Sequence, residues 1–222
     1  MKRTRFHRTP LFVVALVLAT SGCFALFSLD GYGPSSDQGD ASLDGANEAS
    51  SLDAAARGRT VFVTSDTFNG DLGTRDGGDL KCQAAATDAG LSGSYRVWLG
   101  DVESRALDSL VLDAGPLRLT NGTLVADDTA MLVKSGPRTG IAFDEHGKRI
   151  GSGGCEDGGL VAWTGTFADG GNPSSQGLDC ARWRNGGTQP GLVGLVGSTG
   201  ADWTAACTRQ CNDHAALYCI QQ

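Results

Sequence analysis

The cysteines carry the clearest chemical signal in this sequence of 222 residues. Six of the seven lie in its second part: Cys82, Cys155, Cys180, Cys207, Cys211 and Cys219. Such a set forms either disulfides or a metal site. The spacings Cys207-x3-Cys211 and Cys211-x7-Cys219 match neither zinc fingers nor zinc ribbons. We therefore expect structural disulfides, which would leave no thiolate for nucleophilic catalysis. Spacing alone does not choose among the pairings.

The seventh cysteine, Cys23, follows a segment with the pattern of an export signal. Residues 1–10 contain four basic residues and no acidic one, residues 11–19 are apolar, and small residues occupy positions 20–22. The apolar run is too short to cross a bilayer as a mature helix. The pattern predicts a signal peptide over residues 1–22. An exported protein folds in an oxidising compartment, which favours disulfides among the other cysteines.

The sequence Thr20-Ser21-Gly22-Cys23 resembles the lipobox of bacterial lipoproteins. The resemblance implies that Cys23 becomes the new N-terminus and is lipidated, so that lipid chains hold the protein at a membrane. Phe24, rather than an aspartate, follows the cysteine, which under the common lipoprotein sorting rule implies the outer membrane. The alternative is an ordinary signal peptide with an unmodified Cys23.

The charge of the chain bears on its partners. It has 18 basic and 25 acidic residues, and loss of residues 1–22 leaves 14 basic and 25 acidic residues, a net charge of −11. Residues 59–222 alone hold 13 basic and 19 acidic residues. We therefore expect no binding to nucleic acid, or to an anionic membrane surface, through bulk electrostatics.

The elements that must position the cysteines begin after a polar segment. Residues 23–58 are rich in Ser, Asp, Gly and Ala and include six acidic residues. Such a segment has too little apolar surface to fold, and it predicts a disordered acidic linker that acts as a stalk. Residues 59–222 are long enough for a single domain with one core.

Within this domain, the apolar pattern and the turn residues predict short helices and strands. Helices are predicted over three ranges: 77–89, 104–112 and 127–135. Strands are predicted over seven: 60–64, 95–99, 116–120, 123–126, 160–164, 192–196 and 215–220. Asn121-Gly122 predicts a hairpin with a type I′ turn. With Gly-rich loops at 151–159 and 165–179, the expected class is α+β with mainly antiparallel short strands.

Residues 71–99 resemble the first helix and following strand of endostatin, the C-terminal domain of certain collagens. The shared features are the helix cysteine, Cys82, an Ala-Gly-Leu-x-Gly segment at 89–93, and an aromatic strand. The resemblance returns in three further segments: 161–165, 179–183 and 211–220. It implies a C-type-lectin-like fold for residues 59–222. It also implies membership in a family of bacterial lipoproteins whose shared domain has no assigned function.

The resemblance implies a disulfide pattern. In endostatin the helix cysteine pairs with the cysteine of the last strand, and an inner pair is nested within. Carried over, this implies the pairs Cys82–Cys219 and Cys180–Cys211, and it leaves Cys155 to pair with Cys207. Endostatin's zinc site is not implied, because residues 30–60 contain no histidine. Its heparin binding is not implied, because residues 59–222 are net acidic.

The lectin side of the resemblance raises calcium-dependent sugar binding. Three residues could supply oxygen ligands: Asp169, Asn172 and Asp179. Sugar-binding C-type lectins use a Glu-Pro-Asn-like loop and a Trp-Asn-Asp motif. Here Asn172-Pro173 lacks the acid, and Trp203 is followed by Thr204-Ala205. We therefore prefer a plain Gly/Asn loop, predict no cofactor or metal, and keep calcium as an alternative.

The remaining candidates have structural interpretations. His146 is interpreted as a solvated turn residue and His214 as structural, and neither belongs to a Ser/His/Asp or Cys/His grouping with motif context. Three tryptophans are expected to pack in the core rather than stack on sugars: Trp98, Trp163 and Trp183. Gly191-x-x-Gly194-x-x-Gly197 lacks the lysine of a phosphate loop and predicts a strand with close backbone approach.

The sequence thus predicts a membrane-anchored, non-enzymatic binding or adhesion domain. Its ligand is an unknown protein or glycan, and no ligand-binding residue is predicted. Three alternatives are a structural or accessory envelope protein with a protein partner, a calcium-dependent carbohydrate binder, and an enzyme.

Overall fold

The computed structural model describes residues 58–112, 114–151, 153–156, 159–172 and 177–222. The predicted signal peptide, Cys23 and all but the last residue of the predicted linker lie outside the described residues. Eight strands are present: β1 (Arg59–Val63), β2 (Tyr95–Val97), β3 (Leu117–Leu119), β4 (Leu124–Ala126), β5 (Val161–Trp163), β6 (Pro190–Leu195), β7 (Cys207–Gln210) and β8 (Ala216–Gln221).

The helices are few and short. Helix α1 (Arg75–Asp88) has 14 residues and α2 (Thr129–Ser135) has seven. Two single turns of 3-10 helix cover Ala106–Ser109 and Gly200–Trp203. The mixed class and the predicted strand positions are confirmed. No helix among the described residues is long and apolar enough to cross a membrane.

The predicted hairpin forms, but its turn is not of type I′. That turn needs positive φ at both central residues, and only Gly122, at +86°, has it, whereas Asn121 does not. The Gly122 N–H donates to the Leu119 carbonyl oxygen at 2.8 Å, which places Thr120 and Asn121 at the centre of the turn. Gly122 follows them in the left-handed position that closes three-residue hairpin loops.

Strand β8 lies at the centre of the sheet. The strand order is β4-β3-β1-β8-β5-β6-β7, and β2 pairs with the end of β8 on the side away from β1. Most pairs are antiparallel, as the sequence predicts, but β1 pairs with β3 and β5 pairs with β8 in parallel. The sheet therefore brings the first and last strands of the domain together.

Both faces of the central strands are buried. Along β8, Ala216, Tyr218 and Ile220 enter one apolar cluster, while Leu217 and Cys219 enter a second cluster on the opposite face. Alternate side chains of a strand point to opposite faces, so the continuous apolar run of β8 reflects burial on both sides. Helix α1 covers the second face through Cys82 and Ala86.

Three disulfides cross the domain, and they confirm the disulfide prediction. Cys82 bonds to Cys219, Cys155 to Cys207, and Cys180 to Cys211, with sequence separations of 137, 52 and 31 residues. The first and third are the pairs that the resemblance to endostatin implied, and Cys155–Cys207 is the pair that was left over. The first bond joins α1 to the central strand, so helix and sheet are covalently linked through the core.

The glycines of β6 allow the close backbone approach that the sequence predicts. A β-carbon at Gly191 would lie 2.7 Å from the Sγ of Cys180 and 2.8 Å from the Trp163 ring. One at Gly194 would lie 1.9 Å from the carbonyl oxygen of Trp203. Real β-carbons do not come this close to other atoms. Only a residue without a side chain therefore fits at these two positions of the strand.

Candidate functional site

The tryptophans contribute to the core rather than to a binding surface. Trp98, Trp163 and Trp183 are fully buried, as predicted, and Trp203 is 1% exposed. Trp98 stacks in a tilted pair with Trp203 at 4.9 Å, and Trp163 with Trp183 at 5.9 Å between ring centroids. No tryptophan of the described residues therefore presents a face for sugar stacking.

His146 and His214 are both exposed. His146 lies in the predicted turn, where the Asp144 carboxylate accepts its backbone N–H at 3.0 Å. His214 is exposed between β7 and β8. The buried Glu145 accepts the Ser65 hydroxyl at 2.5 Å, and its carboxylate lies 3.8 Å from the His146 ring nitrogen. The carboxylate thus occupies the place that an imidazole holds in a Ser-His-acid triad.

The residues considered for calcium have other partners. Asp169 accepts the N–H of Gly171 in its own loop, and Asn172 donates to the Val102 carbonyl oxygen. The buried Asp179 accepts the N–H of Val102 at 3.0 Å. Among the residues that the structure describes, no three or more His, Cys, Asp or Glu side chains form a group that could hold a metal ion.

A surface cavity next to α1 is the strongest candidate site. Its volume is about 360 Å³, within the range of small-ligand pockets. All eleven residues that line it are polar or charged, and they include four arginines: Arg75, Arg96, Arg182 and Arg184. We call this cavity the arginine groove. Its arginines come from the start of α1, from β2 and from the segment after Cys180.

Most of the charges in the arginine groove are already engaged. Asp79 accepts from the Arg96 guanidinium and from the Val97 N–H, both at 2.8 Å. Arg182 pairs with Glu103 at 2.5 Å. Hydrogen bonds from the Arg105 side chain and backbone hold the pKa of Asp108 below its ordinary value, so that this carboxylate stays ionised.

Two further lining residues are held by local contacts. The buried Asp101 accepts the N–H groups of Glu103 and Ser104 at 2.8 Å each. Arg75 donates to the Ser109 hydroxyl at 2.5 Å. By contrast, the side chains of Asp76 and Arg184 make no hydrogen bond or ion pair with any other described residue. The groove therefore contains one negative and one positive side chain, Asp76 and Arg184, that a ligand could bind.

The segment that carries Arg182 and Arg184 has an unusual backbone. Cys180, Ala181, Arg182 and Trp183 all have positive φ, between 50° and 63°. The N–H of Trp183 donates to the Asp179 carbonyl oxygen at 2.7 Å and that of Arg184 to the Cys180 carbonyl oxygen at 3.2 Å. This is one turn of left-handed helix, which costs about 1–2 kcal/mol per residue for L-amino acids.

Tertiary contacts hold this left-handed turn in place. Cys180 is bonded to Cys211, and a β-carbon at Gly70 would lie 2.4 Å from the Cys180 Sγ. Trp183 is buried, and a β-carbon at Gly165 would lie 2.6 Å from its ring. The disulfide and the indole thus fix both ends of the turn, and glycines make the space for them.

The segment that precedes α1, next to this turn, is also strained. Thr74, which precedes α1, has φ +104°, and its N–H shares the Trp183 carbonyl oxygen with that of Gly73, at 3.1 and 3.0 Å. Thr74 and the left-handed turn account for every non-glycine residue with positive φ in the described part of the chain. Backbone strain of this kind concentrates at functional sites.

The arginine groove was not predicted from the sequence. Arg75 and Arg184 are more than a hundred residues apart, and no local pattern joins them. A weak signal was present, because Arg96 and Arg182 stand inside the segments that resemble endostatin. Both arginines stand close in sequence to a tryptophan that is expected in the core, which indicated that the fold holds their side chains in fixed places.

Comparison of the sequence with protein-family models and with curated proteins found no match. The candidate site is therefore argued from the structure alone.

Proposed function

We propose that the chain is an exported bacterial lipoprotein, lipidated at Cys23 and held at the outer membrane. It displays residues 59–222 as a non-catalytic binding or adhesion domain at the end of a linker. The domain has a C-type-lectin-like fold of the endostatin type and belongs to a family of lipoproteins that share it. The arginine groove is the ligand-binding site.

Two observations support the fold assignment. Two of the three disulfides, Cys82–Cys219 and Cys180–Cys211, coincide with the pairs that the resemblance to endostatin implies. The residues that carry the resemblance also form the core, since Cys82, Trp163 and Trp183 are all fully buried in one cluster. This agreement between the motif residues and the core packing is the consistency expected where a sequence specifies one fold.

The arginine groove is the observation that carries the functional proposal. It is concave, it is lined only by polar or charged residues from four parts of the chain, and its charged groups converge. Most small-ligand sites combine an apolar lining with a few convergent polar groups; the arginine groove has the convergent polar groups without the apolar lining, which suits a charged ligand. The Ser65 hydroxyl donates to the Glu145 carboxylate and not to an imidazole, so this pair lacks the histidine of a Ser-His-acid triad. Recognition is therefore favoured over catalysis.

An array experiment tests this function. The full chain, purified from membranes in detergent, is applied to arrays of glycans and extracellular-matrix proteins, with calcium and with chelator. We expect binding that Arg184→Gln abolishes and that Arg149→Gln preserves, because Arg149 is an exposed arginine outside the groove. Binding that is unchanged in Arg184→Gln would contradict the groove as the site.

Other outcomes would favour the alternatives. Binding to neutral sugars that chelator abolishes would favour the calcium-dependent carbohydrate binder. No binding on either array, together with stoichiometric capture of one envelope protein by the lipidated chain, would favour the accessory protein.

A further inference from the structure

The unused charges of the arginine groove identify a class of ligand. We propose that the groove binds an α-amino-acid-type zwitterion, a group in which a carboxylate and an ammonium lie close together. Arg184, aided by Arg75, binds the carboxylate, and Asp76 binds the ammonium. This inference rests on the proposed function, in that the groove is taken as the ligand site, and it adds the chemistry of the ligand.

The first step is the charge that remains after internal pairing. Asp79 is engaged by Arg96, and Glu103 engages Arg182. Arg184 and Asp76 have no side-chain partner among the described residues, yet both line the same cavity. A cation and an anion that face one cavity without pairing together are complementary to a ligand that carries both charges.

The second step is the geometry that each charge offers. A guanidinium presents parallel N–H donors that match the two oxygens of a carboxylate. Arg75 is half-buried and fixed by the Ser109 hydroxyl, so it loses little side-chain freedom on binding. Asp76 stands in the first turn of α1, and its carboxylate oxygens accept hydrogen bonds, which suits an ammonium with its three donors.

The third step is the absence of apolar lining. No apolar side chain is among the eleven residues that line the groove, so nothing in it would select a large apolar group. Ser104 and Thr74 add hydroxyl groups instead. A small polar zwitterion, free or carried on a larger molecule, matches this lining better than an apolar peptide side chain or a simple anion.

Calorimetric titration of the full chain in detergent tests the inference with three matched probes. Serine carries both charges, glycerate replaces the ammonium with a hydroxyl, and ethanolamine lacks the carboxylate. We expect serine to bind at least tenfold more tightly than either analogue, for one or both of its enantiomers. Equal affinity for serine and for one of the analogues would overturn the inference.

Two variants assign the charges. Asp76→Asn should abolish the preference for serine over glycerate, and Arg184→Gln should abolish the preference for serine over ethanolamine. A merely structural role would lower all three affinities together. Asp66→Asn and Arg149→Gln remove exposed charges outside the groove and should leave both preferences unchanged. Preferences that persist in both groove variants would overturn the assignment.

The dipeptide Ser-Ser, whose charges are further apart, separates this inference from the proposed function. Tighter binding of the dipeptide than of serine, lost in Arg184→Gln, would keep the groove as the binding site and overturn the close zwitterion. The same conclusion would follow if an array ligand bound in a manner that depends on Arg184 while serine did not bind: the groove would remain the site, and the close zwitterion would be overturned.

Discussion

The indole N–H of Trp183 donates a hydrogen bond to the carbonyl oxygen of Gly100 at 2.8 Å, in the buried interior of the domain. This bond joins the left-handed turn to the segment that follows β2. The same segment contributes Asp101 and Ser104 to the arginine groove, while the turn contributes Arg182 and Arg184. One buried hydrogen bond thus couples two walls of the candidate site.

Trp183→Phe should destabilise the domain and loosen this turn. The variant leaves the Gly100 carbonyl oxygen without its partner, which costs about 1–3 kcal/mol for a buried group. Chemical denaturation measures the loss, and hydrogen exchange measures the amides of Trp183 and Arg184, whose bonds close the turn. We expect both amides to exchange faster.

Trp98→Phe is the matched control for that experiment. Its indole N–H donates to the Thr204 hydroxyl at 2.8 Å, in the apolar cluster on the other face of the sheet. A similar loss of stability is expected, with unchanged exchange in the left-handed turn. Equal loosening of the turn by both variants would contradict the coupling.

The disulfides should differ in what they hold. In the chain-entropy model, loss of Cys82–Cys219, with a separation of 137 residues, costs roughly 5 kcal/mol, and loss of Cys180–Cys211, with 31, costs roughly 3.5 kcal/mol. For ligand binding in the arginine groove we expect the opposite order of effects, because Cys180–Cys211 fixes the left-handed turn and Cys82–Cys219 does not.

Paired serine variants test this difference. Cys180→Ser with Cys211→Ser should reduce stability less than Cys82→Ser with Cys219→Ser, but it alone should abolish the preference for serine over ethanolamine under conditions where the domain stays folded. If the variant without Cys180–Cys211 keeps the preference for serine over ethanolamine, tertiary packing holds the left-handed turn without that disulfide.

The sequence predicted the parts of the fold that depend on local pattern. The runs of β1 and β8 are apolar because both faces are buried, and such runs can be recognised without knowing their neighbours. Strand β7 was missed because its sequence, Cys207-Thr-Arg-Gln210, is mostly polar, and the strand exists through its pairing with β6 at the edge of the sheet. The parallel pairing of β5 with β8 was also missed, because pairing between strands so far apart in the sequence leaves no local pattern.

The candidate site was beyond local pattern for a different reason. No residue of the left-handed turn is glycine, asparagine or aspartate, the residues that visit this conformation most readily. Its conformation comes from the Cys180–Cys211 bond and the burial of Trp183. A tertiary override of local preference leaves no sequence signature, so Arg184 was not foreseen as a site residue.

Gly194 provides a test of the packing in β6. A β-carbon there would lie 1.9 Å from the carbonyl oxygen of Trp203, a backbone atom that cannot rotate away. Gly194→Ala should therefore destabilise the domain by about 3 kcal/mol or more. Gly151→Ala is the control, because a β-carbon at that position meets no described atom within 4 Å. Its effect should stay within about 0.5 kcal/mol, and equal effects in thermal unfolding would contradict the close approach.

Cys23 is the position on which the membrane assignment depends. If it is lipidated, the mature chain begins at residue 23 and exceeds its sequence mass by the mass of the lipid chains. Mass spectrometry of the chain purified from membranes measures both. Cys23→Ser should abolish the added mass and the cleavage at that bond, because the modified thiol is what the lipoprotein peptidase reads.

A second variant separates lipidation from sorting. Phe24→Asp should keep the lipid mass but move the protein from the outer-membrane to the inner-membrane fraction, if the common sorting rule holds in the host. The six other cysteines should remain disulfide-bonded in both variants, because export depends on residues 1–22 and not on the thiol of Cys23. An unmodified Cys23, or a mature N-terminus elsewhere, would instead make this a secreted binding protein, with the same disulfides and the same arginine groove but without the anchor.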